Sequence, residues 1–247
     1  MSAAPPFLLV AGPPLGPAAW HGAAARLQAH GHACSTLDLL DLPPGDLRAL
    51  GAALRDRAHE LPEDGVVVAQ GTAAAVAVEA LHAGLMRRLV LTNGPVARAD
   101  WALRLAGPLL RSPAGRALLR RGPVQAALAS SAGGRRLVVN PYVMGRDTVA
   151  STTGSAFSSP ARRAALRRLL SELSTWEGRP TASGPPVLLL WGDEDPLYPA
   201  SVADAAGALI PTARHERIPG GQHLHVLERP WALADAARAW VSATSMS

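Results

Sequence analysis

Several groups of residues in this 247-residue chain have types and spacing that could do chemistry. His223 and His225 form an H-x-H pair behind Gly220-Gly221, and Asp193, Glu194 and Asp195 follow the apolar run 187–191 (VLLLW). His30, His32 and Cys34 alternate, and Gly12 to Gly16 is a loop of glycine and proline. A carboxylate that accepts a hydrogen bond from one imidazole nitrogen fixes the tautomer and raises the basicity of the other nitrogen. Such a pair can act as a general base and then as a general acid. A metal site is the weaker reading, because H-x-H has no third ligand at helical or hairpin spacing. The His30/His32/Cys34 group reads as a solvent-exposed turn into a strand, with Cys34 as a small buried hydrophobe. The 12–16 loop is no phosphate cradle: it has no Lys, and its prolines remove N–H donors.

The elements that must hold these residues alternate. Short apolar runs at 7–11 (FLLVA), 33–37, 66–69 (VVVA), 89–91 and 187–191 read as strands, with a further strand at about 214–218. Helical patterns fill 18–30, 47–61, 72–82, about 201–209 and 229 to about 241. Short buried strands alternating with crossover helices imply a parallel sheet covered on both faces. Residues 96–185 differ. They are rich in Arg, Leu and Ala, are broken at Gly107-Pro108, Ser112-Pro113 and Gly122-Pro123, and offer one weak strand candidate at 137–139. An insertion there predicts a helical lid over a crevice at the strand ends. The expected division is a core of 1–95 and 186–247 with a cap of 96–185.

Composition narrows the function classes. Hydrophobic residues make up 48%, which excludes a disordered chain, and the single Cys excludes an intrachain disulfide. All 24 basic residues are Arg, so a Schiff-base lysine is excluded. The net charge of +5 invites a nucleic-acid partner. However, the Arg residues are scattered in pairs such as Arg120/Arg121, Arg162/Arg163 and Arg167/Arg168, and read as solvated helix faces. Two Tyr and two Phe leave little for base stacking, so no nucleic acid is expected. No apolar run reaches membrane-spanning length and no signal-peptide pattern opens the chain, so no membrane is expected and the cytoplasm is the expected location. The Ala, Arg, Gly and Pro content suggests a GC-rich source.

Three stretches carry a family resemblance. F-L-L-V-A-G-P-P-L-G-P-A-A-W, L-L-L-W-G-D-E-D-P and I-P-G-G-Q-H-L-H-V-L-E-R-P resemble the first loop, acid loop and histidine loop of the α/β-hydrolase superfamily, its small esterase and hydroxynitrile-lyase-type members in particular. The resemblance covers roughly 7–95 and 186–241. It implies an α/β-hydrolase fold, with Asp195 as acid and His223 as catalytic histidine. The family's nucleophile turn falls on Val67-Val68-Ala69-Gln70-Gly71-Thr72-Ala73-Ala74, with small residues at Ala69 and Ala73 and Gly71 at the nucleophile position. The attacking atom is therefore missing.

Of the two oxyanion N–H donors that the resemblance implies, one is Thr72. The other falls beside Gly12 on Pro13, which has no N–H. Losing one such donor typically costs about 3 kcal/mol of transition-state stabilisation. Ala11 stands where the family often has His. Thr72 could replace the nucleophile only if its side chain faced the histidine, and in this turn it should face away.

The expected function is a non-hydrolytic enzyme. His223, oriented by Asp195, would remove a proton from a small apolar substrate, for example a polyketide-type intermediate, beside Gly71, Thr72, Gly12 and Pro13. Cyclase, lyase, isomerase, decarboxylase and cofactor-free oxygenase chemistry all fit such a base. Trp101, Tyr142 and Met144 are the candidate pocket residues from the insertion. No cofactor and no metal are expected, and the partners expected are a small-molecule substrate and, as a further candidate, an acyl carrier protein. The alternatives are a catalytically silent binder and a hydrolase in which His223 activates water.

Overall fold

The computed structural model describes residues 4–114, 125–128, 130, 134–181 and 184–244. Arg120/Arg121 and Gly122-Pro123 lie outside them. Six strands form one sheet: β1 (Phe7–Ala11), β2 (Cys34–Asp38), β3 (Val66–Gln70), β4 (Arg88–Thr92), β5 (Val187–Gly192) and β6 (Ala213–Ile218). Their order is β2-β1-β3-β4-β5-β6, and every pairing is parallel. Strands β1, β3 and β5 are buried along their whole length, as expected of strands covered on both faces.

Alternate residues of the strands enter two separate cores. Leu8, Val10, Val67, Ala69, Leu89 and Leu189 pack toward α2 (Leu47–His59) and α3 (Thr72–His82). Phe7, Leu9, Val66, Val68, Val90 and Leu188 pack on the other face with Trp20 and Trp240. Each large side chain so buried contributes about 1.5–3 kcal/mol. Small residues let α3 lie flat on the sheet: Ala73, Ala74, Ala75, Val76 and Ala77 are all buried. Asp46 caps α2 by accepting the Ala49 N–H at 2.8 Å.

The expected helix at 18–30 is divided. Pro17 opens a 3-10 turn, Pro17–Trp20, before α1 (His21–Ala29). His32 is buried rather than exposed; its ring meets Phe7 edge-on at 5.1 Å and Nδ1 lies 2.9 Å from the Pro5 carbonyl. Cys34 is half-buried, and burial pushes its thiol up to about 11.

Among the described residues between β4 and β5 are α4 (Trp101–Arg111), α5 (Arg146–Thr153) and α6 (Pro160–Leu173), with 3-10 turns at Gly134–Leu137, Pro141–Met144 and Ser155–Phe157. No strand forms at 137–139. Gly134–Leu137 is a 3-10 turn, and the Val139 and Asn140 N–H groups go to the Glu228 carboxylate. Some of the paired arginines do more than solvate. Arg162 binds the carboxylates of Asp38 and Asp41, and Arg163 and Arg167 donate to the Phe157 and Leu110 carbonyls. Trp176 Nε1 and Arg179 bond the buried Glu79 of α3 at 2.9 and 3.1 Å, tying the end of this segment to the sheet layer. After β5 come α7 (Ala200–Leu209), the short α8 (His225–Glu228) and α9 (Pro230–Thr244). Among the described residues no helix is long and apolar enough to cross a membrane.

Candidate active site

The carboxyl ends of β1, β3, β4, β5 and β6 deliver the site. β3 runs straight into Gly71, which caps α3 with φ 61° and ψ −132°. That left-handed backbone suits glycine, which lacks the Cβ that penalises it. A Cβ built there meets no heavy atom within 4 Å, so space is open where a nucleophile's side chain would stand. Gly12 is the opposite case. A Cβ on it would lie 2.2 Å from the Gln70 carbonyl oxygen and 2.9 Å from the Thr72 nitrogen, so only glycine lets the first loop approach the turn this closely. Pro13 follows without an N–H, and its carbonyl accepts the Thr72 hydroxyl at 2.8 Å. The Thr72 proton is thus spent on the first loop.

The acid comes from the loop after β5 and the histidine from the loop after β6. His223 Nδ1–H donates to Asp195 Oδ2 at 3.0 Å, leaving Nε2 as the free ring nitrogen. Asp195 Oδ1 accepts the backbone N–H groups of Leu197 and Tyr198 at 2.8 and 3.0 Å. Burial works against the Asp195 charge, but His223 and these backbone donors outweigh it and hold the carboxyl below its ordinary value. The Tyr198 ring lies beside the imidazole, centroids 5.7 Å apart. Burial and the Asp100 carboxylate push the Tyr198 phenol up, so it stays neutral.

Gly12, Pro13, Gly71, Thr72, Met144 and His223 line one cavity of about 210 Å³. Leu128, Leu137, Thr152 and Thr153 add walls from the segment between β4 and β5. An apolar cavity of about 150 Å³ holds benzene, so this one suits a substituted six-membered ring. No Arg, Asp or Glu is among its described lining residues.

Two expected pocket residues are elsewhere. Trp101 is 69% exposed on α4, in a separate groove with Arg104 and Leu105, and Tyr142 is 88% exposed. The reason is which face each turn buries: α4 turns Leu110 inward and Trp101 outward, and the 141–144 turn buries Met144 and leaves Tyr142 outside.

Asn93 is a residue that motif reading missed. It is fully buried with φ 39°. Its Nδ2 donates to Asp195 Oδ2 at 2.7 Å and to the Gln222 carbonyl at 3.1 Å, while its Oδ1 accepts the Gly192 N–H at 2.9 Å. It thereby fastens the acid loop to the histidine loop. The signal was Asn93-Gly94-Pro95, which marks a turn where Asn tolerates positive φ, but nothing in it names the partners.

His225 belongs to the scaffold. It is buried completely; Nδ1–H donates to the Gln222 carbonyl at 3.1 Å and Nε2 accepts the Thr92 hydroxyl at 3.0 Å. Burial lowers its pKa from 6.5 to about 4 despite the Gln222 bond. The unfolded chain therefore takes up this proton at a higher pH than the native chain does. Native stability should fall as pH drops from 6.5 to 4, by about 3 kcal/mol in all, with no contribution from this group above 6.5. Urea unfolding at several pH values should show this acid-side loss reduced in His225→Gln; identical slopes in variant and wild type would contradict it.

Known proteins share this architecture. An esterase from Thermogutta terrifontis, solved with malate bound, matches with a TM-score of 0.70 and 17% identity over 98% of this chain and 91% of its own. A bromoperoxidase from Bacillus anthracis gives 0.74 and 12%, over 96% and 92%. A haloalkane dehalogenase from Bradyrhizobium elkani gives 0.71 and 18%, over 100% and 93%. At such identities the likeness is one of fold. No curated protein matches the chain in sequence. Residues 7–236 match the family described as the alpha/beta hydrolase family, and the parallel six-stranded sheet flanked by helices is that fold. The chain belongs to the alpha/beta hydrolase family.

Proposed function

We propose that this protein is a general acid–base enzyme that works without a covalent nucleophile. His223 Nε2 takes an acidic proton from a small, uncharged, largely apolar substrate, and Asp195 holds the imidazole in the tautomer that can accept it. The Thr72 N–H at the start of α3 steadies the enolate or oxyanion so formed. The space beside Gly71 receives a substrate atom. The observation that carries this reading is an intact His223–Asp195 hydrogen bond next to a cavity whose nucleophile position has no side chain.

Residues 1–95 and 186–247 act as the core and 96–185 as the cap, which supplies Met144 and several other apolar walls. Lyase, cyclase, isomerase, decarboxylase or cofactor-free oxygenase chemistry on a polyketide-type intermediate would suit such a base. Direct hydrolysis is the second reading. The similar structures include an esterase and an epoxide hydrolase, and the opening at Gly71 could hold a water for His223 to activate.

An uncharged benzisoxazole tests the base directly. Removal of its ring C–H proton breaks the N–O bond and yields a nitrile and a phenolate, with no nucleophile needed. Wild type is expected to open it with saturation kinetics, and His223→Ala at least 100-fold more slowly. Equal rates in the two proteins would overturn the reading. Ester hydrolysis by wild type that depends on His223, without benzisoxazole opening, would favour activated water instead.

A further inference from the structure

We infer that Gln70 is a substrate-recognising residue whose amide oxygen accepts a hydrogen bond from a hydroxyl of the substrate. This rests on the acid–base reading of the same cavity and adds a substrate class: an uncharged molecule carrying an O–H near the carbon that His223 deprotonates.

Gln70 is the last residue of β3, is 2% exposed and lines the cavity. Its Nε2 donates to the His223 carbonyl at 3.3 Å. The opposite amide orientation would set two oxygens against each other, so that bond assigns the nitrogen. The amide oxygen is left with no protein partner among the described residues. That oxygen is reached from the cavity, so its partner comes from outside the protein: a water, or the donor of a bound ligand.

The other polar side chains of the cavity cannot substitute for a ligand's donor. The hydroxyl protons of Thr72, Thr152 and Thr153 go to the carbonyls of Pro13, Thr148 and Val149. With Nδ1–H committed to Asp195, His223 Nε2 is an acceptor too. Apart from the second Nε2 hydrogen of Gln70 itself, the described side chains therefore offer acceptors and no unspent donor. A substrate that brings donors fits, whereas a carboxylate or phosphate would enter without a counter-charge. Sites that hydrogen-bond a substrate hydroxyl reject the analogue lacking it far more strongly than apolar pockets reject a missing methylene.

Phenol and benzene, which differ by one hydroxyl, are the probes, and calorimetry on the whole chain measures both affinities. The phenol-to-benzene affinity ratio of wild type is expected to fall at least tenfold in Gln70→Met, with benzene binding retained. Gln70→Glu, which when protonated can donate to the His223 carbonyl and still accept from the ligand, should keep the ratio at acidic pH. A ratio unchanged in Gln70→Met overturns the inference, as does a wild type that binds benzene but not phenol. Retained benzene binding separates recognition from misfolding. His223→Ala separates the two claims. A preference for phenol that survives there supports Gln70. A preference lost in His223→Ala but kept in Gln70→Met overturns the Gln70 role and leaves the base standing.

Discussion

Gly71→Ser is expected to fold and to hydrolyse a simple aryl ester only feebly. The new Cβ has room, because no heavy atom lies within 4 Å of its position. Holding a non-glycine residue at φ 61° and ψ −132° costs about 1–3 kcal/mol of stability. The hydroxyl would enter the cavity that His223 lines, with Asp195 bonded behind the imidazole, which completes a nucleophile–base–acid set. What it would still lack is the donor at Pro13. Adding Pro13→Ala restores an N–H there, and the double variant should exceed the single one by about 10²–10³-fold in turnover. Vigorous hydrolysis by Gly71→Ser alone would show that Pro13 does not limit the site. A double variant no faster than the single one would do the same.

The second large effect is on the acid. Asp195→Asn is expected to slow benzisoxazole opening by about 10³–10⁴-fold. Two backbone N–H groups, the Asn93 amide and the His223 Nδ1–H all donate to this carboxylate. An amide there would set its own N–H against one of those donors. The imidazole would then put its proton on Nε2 and present no base to the cavity. The pH dependence follows the same bond. The Asp195 pKa is depressed in the folded chain, so its stabilisation is present above its unfolded value of 3.8 and is lost as pH falls through the folded value. The variant should lack this acid-side loss in urea titrations. A rate within tenfold of wild type would show that the carboxylate does not set the tautomer.

The sheet was legible because strands buried on both faces read as unbroken apolar runs. FLLVA, VVVA and VLLLW map onto β1, β3 and β5 within a residue. Asp195, His223 and Gly71 were legible through the loops that carry them, since each loop has its own local pattern. Asn93 was not, because its partner Asp195 is 102 residues away and only the fold brings them together. Gln70 was visible as part of the turn but not as a cavity group, since its place depends on the His223 carbonyl across the site. Trp101 and Tyr142 were misplaced for a related reason. An aromatic residue in an apolar insertion gives no sign of which face its helix or turn will bury. At 137–139, Glu228 claims the N–H groups that a strand would have paired, and Leu224 donates to the Leu137 carbonyl at 2.9 Å.

The claim that proton transfer here proceeds with no attacking side chain is tested most directly by the intact mass of the protein after exposure to a fluorophosphonate. Wild type is expected to gain no adduct, while Gly71→Ser gains one that disappears when His223→Ala is added. A stoichiometric adduct on any Ser or Thr of the wild-type chain would contradict the account.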